Sequence, residues 1–126
     1  MHKSQIGAMI IDCQVDDLGE AAAFWTQALG GEAVTYPDDP NYIGVKGAKA
    51  GPKVLLQKVE HPSRVHLDIE TDDIDAEVER LERLGAKKIK ALKGWVVLEA
   101  PTGHRFCVVK PQRRDFKDNA KVWYED

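Results

Sequence analysis

Two short apolar strands carry the side chains best suited to chemistry. Asp12 lies in Ile10-Ile11-Asp12-Cys13-Gln14, and His66 and Asp68 lie in His66-Leu67-Asp68-Ile69-Glu70. Alternation puts residues two apart on one face of a strand, so His66, Asp68 and Glu70 share a face, as do Asp12 and Gln14. With Leu67 and Ile69 turned toward a helix, the polar set looks the other way. Two neighbouring carboxylates can share a proton and so present one acid and one base. An imidazole beside them titrates near neutrality or orients a ligand. Asp12 and Asp68 are thus the candidate catalytic residues, and Asp12, Gln14, His66 and Asp68 are candidate ligand contacts. The competing reading is structural, with either aspartate satisfying backbone amides or pairing with Arg64 or Arg105.

A second group comes from a hairpin near the C-terminus. Ala100-Pro101-Thr102-Gly103 suits a three-residue loop with a bulge, proline opening the turn and glycine closing it. Such a loop pairs Trp95 with Val109 and Val97 with Cys107 on one face. Phe106, Val108, Val96 and Leu98 then pack under a helix. An apolar wall of Trp95, Val97 and Val109 beside a few polar groups is the composition of a small-molecule pocket. Trp95 and Cys107 join the candidate ligand contacts; Cys107 is read either as a small buried packer or as a thiol partnered in space by His66. Cys13, Phe24 and Trp25 read as core, His61 and His104 as solvated turn residues, and Tyr42 as a residue at the pocket mouth. The Gly47–Pro52 loop, poor in apolar anchors, reads as a lid or as a flexible hairpin end.

These residues are positioned by an internal repeat. Ile10-Ile11-Asp12-Cys13-Gln14-Val15-Asp16-Asp17-Leu18 aligns with His66-Leu67-Asp68-Ile69-Glu70-Thr71-Asp72-Asp73-Ile74, with three aspartates coinciding. Each copy continues into a run of helical period that closes on Leu-Gly, at Leu29-Gly30 and Leu84-Gly85. Asp17 and Asp73 can cap these helices, with Glu20 completing a capping box in the first. Leu18, Ala22, Trp25 and Leu29 form one apolar stripe; Ile74, Val78 and Leu81 form the other. Three strand candidates follow each helix, over about 32–36, 42–46 and 53–59, then 86–91, 95–99 and 104–110. The unit is βαβββ, twice, so the class is α+β in one domain: module one about 6–60, module two about 63–110, and a tail over 111–126. Phe116, Trp123 and Tyr124 in that tail predict that it packs on its own sheet or on a second subunit.

Composition sets limits on function. The chain has 126 residues, 43% hydrophobic and 31% charged, an ordinary globular balance. No apolar run approaches the roughly 18 residues of a membrane span, and the N-terminus lacks the pattern of a signal peptide. Two cysteines are too few for a disulfide scaffold, which points to a reducing, cytoplasmic setting. A net charge of −3 argues against nucleic acid as a partner. The basic stretch from Lys87 to Lys93 reads as an edge strand whose lysines oppose aggregation, with Lys88 and Lys90 on one face.

The segments Val15-Asp16-Asp17-Leu18 to Ala23-Phe24-Trp25, His66-Leu67-Asp68-Ile69 to Arg83-Leu84-Gly85-Ala86, and Ala100-Pro101-Thr102-Gly103-His104-Arg105-Phe106-Cys107 together resemble the vicinal oxygen chelate superfamily. That superfamily includes glyoxalase I, bleomycin-resistance proteins and extradiol dioxygenases, and the chain looks closest to its glyoxalase-like domain branch. The resemblance implies two tandem βαβββ modules forming a curved eight-strand sheet around a cup, with helices outside, and a homodimer. It also implies a divalent metal whose ligands, carried over by position, are Ile10, His66, Cys107 and a residue near Gln57. Ile10 has no lone pair, so no metal or other cofactor is expected. If one binds, its ligands are His66, Gln57 and Cys107. Gln57 is also a candidate ligand contact.

The leading expectation is a cup that binds a small organic molecule without an obligatory metal, sequestering it or acting on it by proton transfer. The alternatives are a divalent-metal-dependent lyase, isomerase or dioxygenase, and a non-catalytic dimeric interaction module.

Overall fold

The computed structural model describes residues 1–47 and 51–124. Among them the chain forms nine strands and three helices in a mixed α+β arrangement. The order is β1 (His2–Cys13), α1 (Leu18–Leu29), β2 (Glu32–Thr35), β3 (Tyr42–Lys46), β4 (Lys53–Lys58), β5 (Arg64–Thr71), α2 (Ile74–Arg83), β6 (Lys87–Leu92), β7 (Trp95–Glu99), β8 (Arg105–Val109), α3 (Phe116–Asn119) and β9 (Lys121–Trp123). The βαβββ order occurs twice, and a ninth strand is added from the tail. The proposed lid loop includes residues 48–50, which lie outside the described residues. No helix among the described residues is long and apolar enough to cross a membrane.

The chain forms two compact units, one of Ala8–His66 and one of Met1–Gly7 with Leu67–Asp126. In the first, the strands run β2-β3-β4-β1. The end of β1 lies parallel to β4, with Ile11 opposite Leu56 and Asp12 opposite Gln57. Ile11 and Cys13 face α1 because the helix brings Leu18, Ala22 and Trp25 to the same side. Together with Val45 and Leu56 they form the core of this unit. Asp17 starts the helix, accepting from the Gly19 amide at 2.8 Å. Gly30 ends it in a left-handed conformation, φ 71°, that a side chain would resist. The stripe stops short of its predicted end: Leu29 is exposed, one turn past Trp25. Phe24 is exposed too, its ring edge-on to Trp25 at 5.1 Å. One position along a helix is a rotation of about 100°, which carries Phe24 off the core face.

The second unit repeats the plan, with order β5-β8-β7-β6 and β5 parallel to β8. Asp73 caps α2, accepting from the Ala76 amide at 3.1 Å. Val78 and Leu81 pack on Val96, Leu98 and Val108. The hairpin register is the predicted one, with Trp95 opposite Val109 and Val97 opposite Cys107. Ala100 and His104 close its loop through a 2.8 Å backbone bond. Two expectations fail. A register shift between Lys88 and Lys90 leaves Ile89 as the extra residue of a bulge, so simple alternation does not place the two lysines. Leu67 is exposed because the apolar cluster under α2 extends along β5 only to Ile69.

The tail packs on its own unit. β9 pairs antiparallel with His2–Ser4 of β1, and Phe116 is buried. Two fully buried carboxylates hold it. Glu70 accepts from Gln5 Nε2 (2.7 Å) and from the Gln112 and Arg113 amides (2.7 and 3.1 Å). A side chain at Gly7 would come within 2.7 Å of the Glu70 carboxylate, so that close approach requires glycine. Glu77 is hydrogen-bonded to His2 Nε2 at 2.8 Å and accepts a bidentate pair from Arg80. The Arg80 guanidinium in turn lies 3.8 Å from the centroid of the Trp123 ring.

Burial pushes the Glu77 carboxyl up, but hydrogen bonds from Arg80, His2 and Ser4 outweigh it and hold the group below its ordinary value. Its stabilising contribution is therefore complete above a pH of about 4.5 and is lost as the pH falls through the lower folded value. Glu77→Gln should lower unfolding free energy by about 3 kcal/mol at neutral pH, the usual loss for one partner of a buried pair. Urea titrations across pH should show the gap from wild type closing in acid; a gap independent of pH would refute this account. Leu98→Ala should cost about 2–5 kcal/mol at every pH, measured in the same way.

Candidate functional site

The site in the first unit is built around one buried carboxylate. Asp12 alternates with Ile11 and Cys13 on β1, so its side chain leaves the core under α1 on the opposite face, where it is 2% exposed. Its Oδ2 lies 2.8 Å from His66 Nδ1, 3.5 Å from Arg64 Nε and 4.0 Å from His61 Nε2. Its Oδ1 is buried with no hydrogen-bond partner among the described residues. Leaving a buried acceptor unmet costs about 1–3 kcal/mol, so this is an expensive place to keep a carboxylate.

Local bonds fix the groups around it. The Val59 amide donates to the Cys13 carbonyl at 2.9 Å, and the Gln14 amide donates to Ser63 Oγ at 3.0 Å. The Gln14 side chain donates to the Glu60 carbonyl at 2.8 Å. The turn before β5 is thus laced to the end of β1, and His61, Arg64 and His66 are held next to Asp12. An imidazole Nδ1–H donating to Asp12 places the His66 lone pair on Nε2. His66 is 14% exposed in its side chain, which shelters the ring without sealing it. Burial pushes the Cys13 thiol up, and the adjacent Asp12 carboxylate adds to that, so Cys13 is an inert core group.

The other predicted residues fall as follows. Gln57 sits on β4 opposite Asp12, with Tyr42 opposite it on β3. Gln14 reaches the Glu60 carbonyl and serves the loop. Asp68 lies directly opposite Cys107, and Cys107 opposite Val97. Trp95 is exposed beside Val109. Arg105 pairs with Glu99 at 3.0 Å, while Arg64 takes the ion pair with Asp12. His61 departs from its reading as a solvated turn residue by lying in the Asp12 cluster. His61 lies in a proline-containing turn, where no periodicity signals the direction of its ring.

Two members of the metal-ligand set implied by the resemblance do not fit. Ile10, at the first position of that set, is 1% exposed and supplies no lone pair. Gln57 offers only a neutral amide, a weak ligand next to imidazole or thiolate.

The profile of the glyoxalase-like domain family matches residues 8–109. No curated protein matches. Among solved structures, the chain is similar to the NAD-dependent benzaldehyde dehydrogenase of Legionella pneumophila, with a TM-score of 0.62 at 14% identity, covering 82% of this chain and 99% of that one. It is also similar to methylmalonyl-CoA epimerase, with a TM-score of 0.55 at 14% identity, covering 86% and 95%. A variant of homoprotocatechuate 2,3-dioxygenase from B. fuscum aligns with a TM-score of 0.58 at 15% identity, covering 88% of this chain but 33% of that one. At such identities the likeness is one of fold. The profile match, which spans both βαβββ modules, makes the chain a member of the glyoxalase-like domain family.

Proposed function

We propose that the protein binds a small organic molecule at the face carrying Asp12 and His66, without an obligatory metal. The observation that carries this reading is the Asp12 carboxylate, buried with one oxygen unpartnered and the other on His66 Nδ1. A fold seeking only stability would use an apolar residue there, because a half-satisfied buried charge is worse than none. Its useful effect is on His66: the carboxylate fixes the ring's orientation and tautomer and stabilises the imidazolium if the ring takes a proton. His66 Nε2 is then suited to accept a hydrogen bond from a ligand or to remove a proton from it.

A second reading, a divalent-metal-dependent lyase, isomerase or dioxygenase, draws on one pairing. Asp68 stands opposite Cys107 on the neighbouring strand, and His66 lies two residues before Asp68 on β5. Imidazole, carboxylate and thiolate are all zinc ligands.

Two measurements separate these readings. Metal analysis of the purified protein, with thermal shifts on adding Ni²⁺, Zn²⁺, Fe²⁺, Co²⁺ or Mn²⁺, should show no stoichiometric metal and no selective stabilisation. A near-stoichiometric metal, or a selective shift abolished by His66→Ala, would sink the metal-free reading. In ¹⁵N spectra at mildly basic pH, His66 should be the Nδ1–H tautomer in wild type and revert to Nε2–H in Asp12→Ala. A ring already Nε2–H in wild type would remove the basis of the proposal.

A further inference from the structure

Three basic side chains converge on one oxygen of Asp12, while the second oxygen is buried without a hydrogen-bond partner among the described residues. Two other guanidinium groups are better matched: Arg80 forms a close bidentate pair with Glu77, and Arg113 does the same with Asp115. Arg64 is different. It reaches Asp12 only at 3.5 Å through Nε, and its NH2 faces the His61 ring at 3.4 Å instead of an acceptor oxygen. The His61 Nδ1 faces the Pro62 carbonyl at 2.9 Å, so in the neutral ring Nε2 is the weak acceptor facing Arg64. When the ring is protonated, a second cation stands beside the guanidinium.

This group of basic side chains sits in a chain whose net charge is −3. It is also accessible and held in place. The Arg64 side chain is 50% exposed and that of His61 39%, while the turn that carries them is tied down by the Gln14 and Ser63 bonds. A planar guanidinium held by Asp12 and still half exposed keeps donors for a two-oxygen anion. Preorganisation lowers the entropy lost when a ligand docks on it.

Resting on the reading of Asp12 and His66 as a ligand site, we infer that the ligand carries an oxyanion, which docks on the outer edge of Arg64 beside His61. Asp12 orients this cationic edge from behind, and the ligand supplies the second counter-charge. The organic body of the ligand then extends toward His66, so the anionic group sets which compounds enter and the imidazole meets the rest.

The test uses matched probes: a series of aromatic and aliphatic carboxylates, the phosphate monoester of each corresponding alcohol, and the primary amide of each acid. Affinities come from NMR titrations that follow the His61, Arg64 and His66 resonances. Carboxylates or phosphate monoesters should bind at least about tenfold more tightly than their amides, and the better of the two identifies the oxyanion. Arg64→Gln should abolish that preference, bringing anion affinity down to that of the amide, and Arg64→Lys should restore part of it. Thermal unfolding of both variants checks that they are folded. Amides binding as tightly as the anions, or a preference that survives Arg64→Gln, would overturn the inference and leave the ligand site standing. No binding by any series in folded wild type would overturn both.

Discussion

A carboxylate removed from water must be met by donors, and three such groups organise this chain. Asp12, Glu70 and Glu77 are all essentially buried. Glu70 and Glu77 are fully met, by two backbone amides and Gln5 in one case and by His2 and Arg80 in the other. Gln5, Gln112 and Arg113 reach Glu70, and His2 reaches Glu77, from sequence-distant segments, so each carboxylate fixes a terminal segment on its unit. Asp12 is met on one oxygen only. The same desolvation penalty applies to all three, and the difference in how it is offset separates the structural carboxylates from the one that holds an imidazole ready.

The internal repeat makes that difference informative. Asp12 and Asp68 occupy equivalent positions, as do Gln14 and Glu70, and the first and fourth strands run parallel in both units. The equivalent residues have nevertheless taken different duties. Gln14 ties down the turn that leads into β5, whereas Glu70 anchors the tail. Ile10 and His66 diverge most: one is an apolar filler, the other the ring that Asp12 orients. A duplicated scaffold keeps its backbone pairing while its side chains drift toward separate tasks, because the pairing is a matter of register and the tasks depend on individual donors.

Most of the fold was legible because it rests on periodicities. Alternation gave Cys13 and Ile69 to the core, helical spacing gave Leu18, Ala22, Val78 and Leu81, and turn chemistry gave the register of Trp95 with Val109. Errors came where one residue breaks a period. The bulge at Ile89 shifts the strand against its partner, and Phe24 lies just off the apolar stripe. Leu67 has the right alternation but lies beyond the reach of α2. At the site, Asp12 and His66 could be read from strand faces, and Arg64 only as one of two ion-pair partners. His61 could not be read, because a turn has no period from which to deduce where its side chains point.

The character of the site follows from which position of the repeat lost its donor. With Ile10 in place of a ligating side chain, the strand that would supply one metal ligand supplies packing instead, and the Asp12 carboxylate two residues on is engaged with His66. Carboxylate–imidazole pairs also support metal ligands, so the pair alone does not decide the chemistry. What distinguishes this one is the company it keeps. A guanidinium and a second imidazole adjoin the same oxygen, so the carboxylate is already engaged with basic groups. The groups around Asp12 and the missing donor at Ile10 are two separate observations, one of charge and one of ligand chemistry, and the metal-free proposal rests on both.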